Sequence, residues 1–305
     1  MDFSSTLETL VRENQTDLNF TFCAVAKICL KSNRFDSAQY NLKQFHQITD
    51  QKICFDLASL SKPLINGFFA LSYKEKLTNE LVLLLNHQSG LPAYGRLGKE
   101  DWKSHLESFE VRESECLYSD YGAMRFLLDL SQKLSLRPRD EFKNFYQDTG
   151  LNFWLDLPAT FDNGFYAPTG FREGRPIAGQ AHDPNCYNIK HFCSHAGVFG
   201  SIDSLCRALI QLNKKFDLIN EIPKSLNDQR FVLGFDRVLD TAKTLAGNGC
   251  STKTFGHLGF TGTSFWIDAE KSIASVLLTN ATEEYWYSRK FLTLLRKEFG
   301  AYCWS

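Results

Sequence analysis

Apolar and polar positions near the N-terminus predict a short helix, a pair of strands and then a second helix. Apolar residues at helical spacing predict a helix over 4–13. Residues 19–30 are rich in β-forming side chains and predict a strand, and Ser32-Asn33 predicts a turn into a second, more polar strand. Small residues at 58–61 then precede a long apolar run, which predicts a helix through Leu71.

The middle of the chain reads as helices joined by long loops. Helical periodicity predicts helices over 77–85, 121–134 and 201–212, while 115–117 is β-like. Residues 150–200 contain four prolines and many glycines, so we expect loops there.

The C-terminal part returns to strands. Strands are predicted over 253–259, 263–268 and 273–280, followed by a helix over 283–299. This order predicts an α+β fold, in which strands from both chain ends form one antiparallel sheet flanked by helices. We expect a discontinuous sheet domain of residues 1–75 and 246–305, and an inserted, mainly helical domain of residues 76–245. A site would lie where the two domains meet, since pockets favour such junctions.

Composition excludes some classes of function. The 305 residues include 34 basic and 35 acidic residues, so the net charge is −1 and no clustered basic charge suggests a nucleic-acid partner. No apolar run approaches the ~18 residues typical of a membrane span. Aromatic residues make up 14% of the chain, which predicts a phenylalanine-rich core and an aromatic-lined cleft.

The N-terminal residues and the cysteines indicate the cellular compartment. Residues 1–8 lack the basic and apolar regions of a secretory signal. Nine cysteines occur without a C-x-x-C pair, which predicts reduced, mostly buried thiols. We therefore expect a cytoplasmic protein, although a chain whose export signal had been removed would give the same pattern.

One tetrapeptide carries candidate chemistry. Ser59 and Lys62 stand three residues apart at the start of the predicted helix, so both side chains lie on one helical face. A serine hydroxyl becomes nucleophilic when a base takes its proton, and a lysine whose pKa is lowered by burial can be that base.

Two more motifs complete a familiar set. Tyr118-Ser119-Asp120 precedes the predicted helix over 121–134, and His257-Leu258-Gly259 falls in a predicted strand. With Ser-x-x-Lys, and in this order, they resemble the motifs of the β-lactamase-related serine hydrolases, which include class C β-lactamases, penicillin-binding DD-peptidases, D-aminopeptidases and esterases. Further segments are similar to landmarks of that family: 86–92, 182–185 and 194–199.

The resemblance implies a β-lactamase/transpeptidase-like fold and roles for individual residues. Ser59 would attack a carbonyl, and Lys62 and Tyr118 would relay the proton, with either of them as the base. The backbone N–H groups of Ser59 and Phe260 would hold the oxyanion, and water would release the acyl group. No metal or organic cofactor is implied, and the partner is a small ester or peptide-like substrate.

Two departures from the family pattern narrow the substrate. His257 stands where class C β-lactamases carry the lysine of Lys-Thr-Gly, and Asp120 replaces an amide. With Gly259 and Phe260 they are the candidate substrate-orienting residues. Both departures favour an esterase or a D-aminopeptidase over a β-lactamase or DD-peptidase. They also leave open a non-catalytic sensor or binding module that keeps the fold.

Three other features have alternative interpretations. The region 182–195 is dense in histidine and cysteine, but it lacks zinc-site spacing and is read as loop packing. Arg172 and Arg175 are typical of solvated residues, or could pair with a substrate carboxylate. Tyr146 begins a second Tyr-x-Asp motif, whose polar surroundings predict a surface position.

Overall fold

An eight-stranded antiparallel sheet organises the protein in a computed structural model that describes residues 3–159, 163–225, 229–284 and 289–305. Within these ranges the strands are β1 Phe22–Cys29, β2 Arg34–Asn41, β3 His46–Gln47, β4 Lys52–Asp56, β5 Asn152–Phe153, β6 Gly164–Tyr166, β7 Phe171–Arg172, β8 Arg175–Pro176, β9 Val198–Gly200, β10 Phe231–Val232, β11 Phe235–Arg237, β12 Thr254–Leu258, β13 Ser264–Asp268 and β14 Ile273–Thr279. The large sheet has the order β10-β11-β12-β13-β14-β1-β2-β3.

Helices cover the sheet and build the layer beside it. In the same described ranges they are α1 Ser4–Glu13, α2 Phe68–Ser72, α3 Asn79–Leu85, α4 Trp102–Glu107, α5 Asp120–Leu134, α6 Pro138–Tyr146, α7 Pro184–Ile189, α8 Ile202–Phe216, α9 Leu218–Lys224 and α10 Lys290–Trp304. None of the helices described is both long enough and apolar enough to cross a membrane.

The side chains of strand β1 contact a different apolar core on each face of the sheet. Ala24 and Ala26 belong to the larger apolar core, whereas Cys23 and Val25 belong to a second core with α1 and α10. Successive strand side chains point to opposite faces, so this alternation places one core on each side of the sheet. Helix α8 contacts β1, β2 and β14 on the side of the larger core.

A small second sheet leads into the candidate site. Its order is β5-β9-β4-β6, and β4 ends at Asp56, three residues before Ser59. Strand β4 pairs in parallel with β6 and antiparallel with β9. The segment that carries Ser59 therefore leaves a strand that is bonded on both sides.

Most elements agree with the sequence predictions, and the α+β class is confirmed. The N-terminal helix, the first two strands and the three C-terminal strands occur within a few residues of the expected bounds. Ser201 caps α8 as predicted, since its side chain accepts the N–H of Ser204. Strands β10 and β11 lie in the predicted insert yet form an edge of the large sheet, and the division into two domains stays a prediction.

Three local predictions differ from the structure in detail. Residues 115–117 are not a strand: Leu117 N–H donates to the carbonyl of His87, so this stretch follows a loop. The predicted helix through Leu71 is present, but it combines a 3₁₀ turn, a π turn and then α2. The last helix runs from Lys290 to Trp304, and residues 285–288 of the predicted range lie outside the described residues. It continues through Gly300, where only glycine fits because a β-carbon would clash with the carbonyl oxygen of Ala246.

Candidate active site

Ser59 lies just after the turn that connects β4 to the following helical segment. Ala58 has a φ of +48°, which is strained for a residue with a β-carbon. Ser59 then falls in the 3₁₀ turn Ala58–Leu60, and Lys62 directly precedes the π turn Pro63–Gly67. The Nζ of Lys62 donates to the Oγ of Ser59 at 3.0 Å. The two residues thus meet as their spacing predicted.

Lys62 is buried and surrounded by acceptors. Its side chain is 2% exposed, its Nζ lies 2.6 Å from an oxygen of Asp120, and it also donates to the carbonyl of His195 at 3.1 Å. Burial lowers the pKa of Lys62, but the charge and hydrogen bonding of Asp120, together with the neighbouring Tyr118 oxygen, outweigh burial and raise the pKa above its usual value. The surroundings of Lys62 therefore favour its ammonium form.

Tyr118 approaches the same ammonium from the loop before α5. Its ring centroid lies 4.8 Å from the Nζ of Lys62. Burial raises the pKa of Tyr118, while the charge of Lys62 and hydrogen bonding with Lys62 and Ser59 lower it in part. The phenol is consequently neutral in the resting protein and in contact with both other members of the motif set.

His87 holds the loop of Tyr118 in place. The carbonyl of His87 accepts the N–H of Leu117 at 2.8 Å, and its Nδ1 accepts the N–H of Ser119 at 3.1 Å. Burial lowers the pKa of His87 to about 3, which keeps the ring neutral and its Nδ1 available as an acceptor. Ser119 in turn caps α5 through the N–H of Gly122.

His257 forms the wall of the site on β12. Its Nδ1 donates to the carbonyl of Leu258 at 2.8 Å, which leaves Nε2 as an acceptor. That Nε2 is buried and has no hydrogen-bond partner among the described residues. The ring lies 5.9 Å from that of Tyr118, and burial lowers the pKa of His257 to about 3. His257 is thus uncharged at neutral pH.

The turn from β12 to β13 is fastened to the backbone just before Ser59. The hydroxyl of Thr263 donates to the carbonyl of Leu57 at 3.0 Å, and that of Thr261 donates to the carbonyl of Asp56 at 2.8 Å. A β-carbon on Gly259 would clash with the Oγ1 of Thr263. Only glycine therefore lets the turn approach this closely.

Asp56 fixes the other side of the same turn. One carboxylate oxygen accepts the N–H of Ala58 at 2.8 Å, and the other accepts the N–H of His182 at 2.7 Å. The side chain is 2% exposed, and burial raises its pKa to about 6. Asp56 thereby supports the strained conformation of Ala58 next to Ser59.

Phe260 and the arginines occupy the rim. Phe260 is 48% exposed, and its ring contacts His182 and the guanidinium of Arg289. Arg172 donates to the carbonyls of Ala181 and His182, so its guanidinium fastens a loop. Arg175 is exposed on β8.

The remaining singled-out residues lie in the interior. Across the described ranges, no group of three or more His, Cys, Asp or Glu side chains is arranged to hold a metal. Tyr146 is fully buried and donates to the carbonyl of Leu64 at 2.8 Å, so the prediction of a surface position was wrong.

Comparison with known proteins identifies the protein family to which the chain belongs. Residues 81–295 match the family model described as β-lactamase, and the chain belongs to that family of hydrolases. The predicted membership in the β-lactamase-related serine hydrolases and the predicted fold are both confirmed.

Individual proteins show the breadth of the family. A class C β-lactamase superposes with a TM-score of 0.67 at 14% identity, covering 96% of this chain and 98% of its own. EstCE1, a hydrolase with promiscuous acyltransferase activity, has a TM-score of 0.64 at 15% identity over 99% of this chain and 98% of its own. These identities show the fold alone.

A curated relative adds a third kind of name. The N-acetylmuramyl-L-alanine amidase of Bacillus subtilis (strain 168) is 26% identical over 244 residues. The match covers 65% of this chain and 55% of the amidase, so the chain spans about half the length of that relative.

The sequence reasoning missed the residues that support the site. Asp56, Thr261 and Thr263 stand inside or beside the motifs, but their contacts join segments about two hundred positions apart. His87 stood within a recognised landmark without an assigned role.

Proposed function

We propose that this β-lactamase-family hydrolase cleaves an ester or an amide through an acyl-enzyme on Ser59. The observation that carries the proposal is the 3.0 Å contact between Nζ of Lys62 and Oγ of Ser59. It is supported by the hydrogen bonding of Tyr118 with both side chains. A nucleophile in contact with a proton-relay pair is the arrangement that covalent catalysis requires.

The charge state of the pair favours Tyr118 as the base. Lys62 is held as an ammonium by Asp120, so it has no lone pair to offer. In the reactive form Tyr118 is a phenolate, stabilised by Lys62, and takes the proton of Ser59 as the hydroxyl oxygen attacks the carbonyl carbon. Tyr118 then passes that proton to the leaving group, and water releases the acyl group.

The oxyanion would be held by the N–H groups of Ser59 and Phe260. This role is supported by the way Thr261 and Thr263 fasten the turn of Phe260 against the chain before Ser59. Preorganised donors of this kind contribute about 3–4 kcal/mol each to transition-state stabilisation.

Because the pKa of Tyr118 is raised, its phenolate is a minor form at neutral pH. The phenolate fraction grows as pH rises toward that pKa. Turnover should therefore increase on the alkaline side of neutrality.

The substrate follows from the charges at the wall of the site. His257 is neutral, so it offers no cation to a β-lactam carboxylate, and Asp120 is engaged with Lys62. Esters and D-amino-acyl amides do not need such a cation. The names of EstCE1 and of the amidase are consistent with these two bond types.

The test compares the wild type with Ser59→Ala and with Ser72→Ala, an exposed serine at the end of α2, as the matched control. A fluorophosphonate probe should label only the wild type and the control. The same two proteins, and not Ser59→Ala, should hydrolyse p-nitrophenyl esters. Equal labelling and turnover in Ser59→Ala would refute the proposal.

Other outcomes would change the substrate or the class. Faster turnover of nitrocefin or of a D-Ala-D-Ala peptide than of esters would assign the lactamase or DD-peptidase activity. Stoichiometric acylation without release, observed by intact mass, would assign a sensor or binding module.

A further inference from the structure

A cavity of about 540 Å³ lies apart from the candidate active site. It opens between α5, the start of α6 and residues 190–193, and the described residues that line it do not include Ser59, Lys62 or Tyr118. Much of its wall is apolar, formed by Trp102, Met124, Leu127, Leu136 and Phe192. Cys193, a buried cysteine, is also among the residues that line it.

A second sulfur stands beside Cys193. The Sγ of Cys193 lies 3.9 Å from the carbonyl oxygen of Ala196, and the Sγ of Cys186 lies 3.6 Å from the same oxygen. Both sulfurs therefore face the same carbonyl, and each thiol perturbs the pKa of the other. Gly197 makes room for them, because a β-carbon there would lie 2.7 Å from the Sγ of Cys186.

A charged pair adjoins the two sulfurs. The Nε2 of His195 lies 2.8 Å from a carboxylate oxygen of Asp183. Burial lowers the pKa of His195, but the Asp183 carboxylate outweighs burial and holds the ring as an imidazolium. Its Nδ1 is buried without a hydrogen-bond acceptor in the geometry of the described chain.

Cys193 thus has the surroundings of a reactive thiol. Interaction with the Cys186 thiol lowers the pKa of Cys193, burial opposes this, and the charge of His195 lowers it further, to about 6. A thiolate near a cation, in a residue that lines a cavity, differs from an inert buried cysteine. Cys206, buried in α8, has a pKa raised by burial and provides the contrast.

We propose that Cys193 is a peroxide-reactive cysteine with Cys186 as its resolving thiol, and that this cavity admits the peroxide. The Cys193 sulfur attacks the distal oxygen of the hydroperoxide, so an S–O bond forms and the O–O bond breaks. The sulfur is oxidised to a sulfenic acid, and the alkoxide leaves with the proton of the His195 imidazolium as an alcohol. The Cys186 sulfur then attacks the Cys193 sulfur, forming a disulfide, and hydroxide leaves with the Cys186 proton as water. A dithiol reductant restores both thiols.

The experiment uses the full chain with the two exposed thiols removed by Cys29→Ser and Cys116→Ser. Protein treated with hydrogen peroxide or cumene hydroperoxide is alkylated, digested and mapped by mass. We expect one disulfide, between Cys186 and Cys193, that dithiothreitol reverses. In Cys186→Ser, dimedone should instead label Cys193 as a sulfenic acid, whereas Cys206→Ser should still form the disulfide.

A further variant tests the role of the imidazolium. His195→Gln should slow oxidation of Cys193 about tenfold, as expected when a thiolate loses its neighbouring cation. Circular dichroism checks that each variant is folded. A faster reaction with cumene hydroperoxide would assign an organic hydroperoxide, and a faster one with hydrogen peroxide would assign the small oxidant. The proposal is overturned if Cys193 stays unmodified in the folded protein, or if it reacts no faster than Cys206.

Discussion

Replacing Asp56 by asparagine should make the protein more stable and less active at about pH 8. The two carboxylate oxygens accept the N–H groups of Ala58 and His182 at 2.8 and 2.7 Å. An asparagine offers one acceptor oxygen and turns an NH₂ donor toward the other N–H. The variant therefore resembles the protonated form of Asp56 in shape and in hydrogen bonding.

The magnitude for stability follows from the pKa of Asp56. Burial raises this pKa from the usual 3.8 to about 6. The folded state thus binds the proton more tightly than the unfolded state, so stability falls as pH rises from about 4 to about 6. The two pKa values correspond to about 3 kcal/mol for full ionisation. Asp56→Asn avoids this cost, and its free energy of unfolding at about pH 8 should exceed that of the wild type by up to about 3 kcal/mol.

Activity should change in the opposite direction. One N–H, of Ala58 or of His182, loses its acceptor in Asp56→Asn, and the strained turn before Ser59 is less well held. Displacing a nucleophile by about 1 Å can cost about 10²-fold, so we expect kcat/KM for the ester to fall about 10- to 100-fold. A gain in stability at the expense of a strained active site is a known trade-off.

The assay is the ratio of wild-type to Asp56→Asn kcat/KM from about pH 5 to pH 8, together with urea unfolding at both ends. Titrations of groups that both proteins share, such as Lys62, Tyr118 and Cys193, cancel in this ratio. The ratio should approach one below pH 6, where Asp56 is protonated. Asp50→Asn, an exposed carboxylate before β4, is the control and should change neither quantity. A pH-independent ratio, or a variant destabilised at about pH 8, would refute the reasoning.

Three further substitutions test separate parts of the structure. Lys62→Met should lower ester turnover about 10²–10⁴-fold, and a near-normal steady-state rate would exclude Lys62 from the relay. Gly259→Ala should lower both the melting temperature and turnover because its β-carbon clashes with Thr263; unchanged values would mean that the turn tolerates displacement. Tyr146→Phe removes the hydrogen bond to the buried carbonyl of Leu64 and should cost about 0.5–1.5 kcal/mol in urea unfolding, with fluorophosphonate labelling unchanged. Reduced labelling in a folded Tyr146→Phe protein would contradict a purely structural role.

The sequence allowed prediction of which side chains meet, because each motif is local and begins or ends an element. Ser59 and Lys62 were placed by their spacing, and Tyr118 by the helix that follows it. The charge of Lys62 was not predictable in this way. It depends on the 2.6 Å approach of Asp120, which only tertiary packing determines.

Irregular backbone was the harder part of the fold. Residues 115–117 have β-forming character, yet Leu117 donates to the carbonyl of His87 and Ser114 donates to that of Gln88. Hydrogen bonding to a loop thus replaced pairing with a strand. Propensity gives no information about such partners, since the same N–H groups are satisfied equally well in either arrangement.

The buried charge of Asp56 weakens the fold, but the same carboxylate holds the backbone around the candidate site. The ionised Asp56 holds Ala58 and His182, while its own carbonyl accepts Thr261 from the turn that bears Phe260. One residue therefore joins the nucleophile segment, the loop at 182 and the proposed oxyanion turn. Donors fixed in this way need no reorganisation when charge develops in the transition state. For that reason we expect the contacts of Asp56 and Thr261 with these backbone groups to contribute more to the proposed activity than to stability.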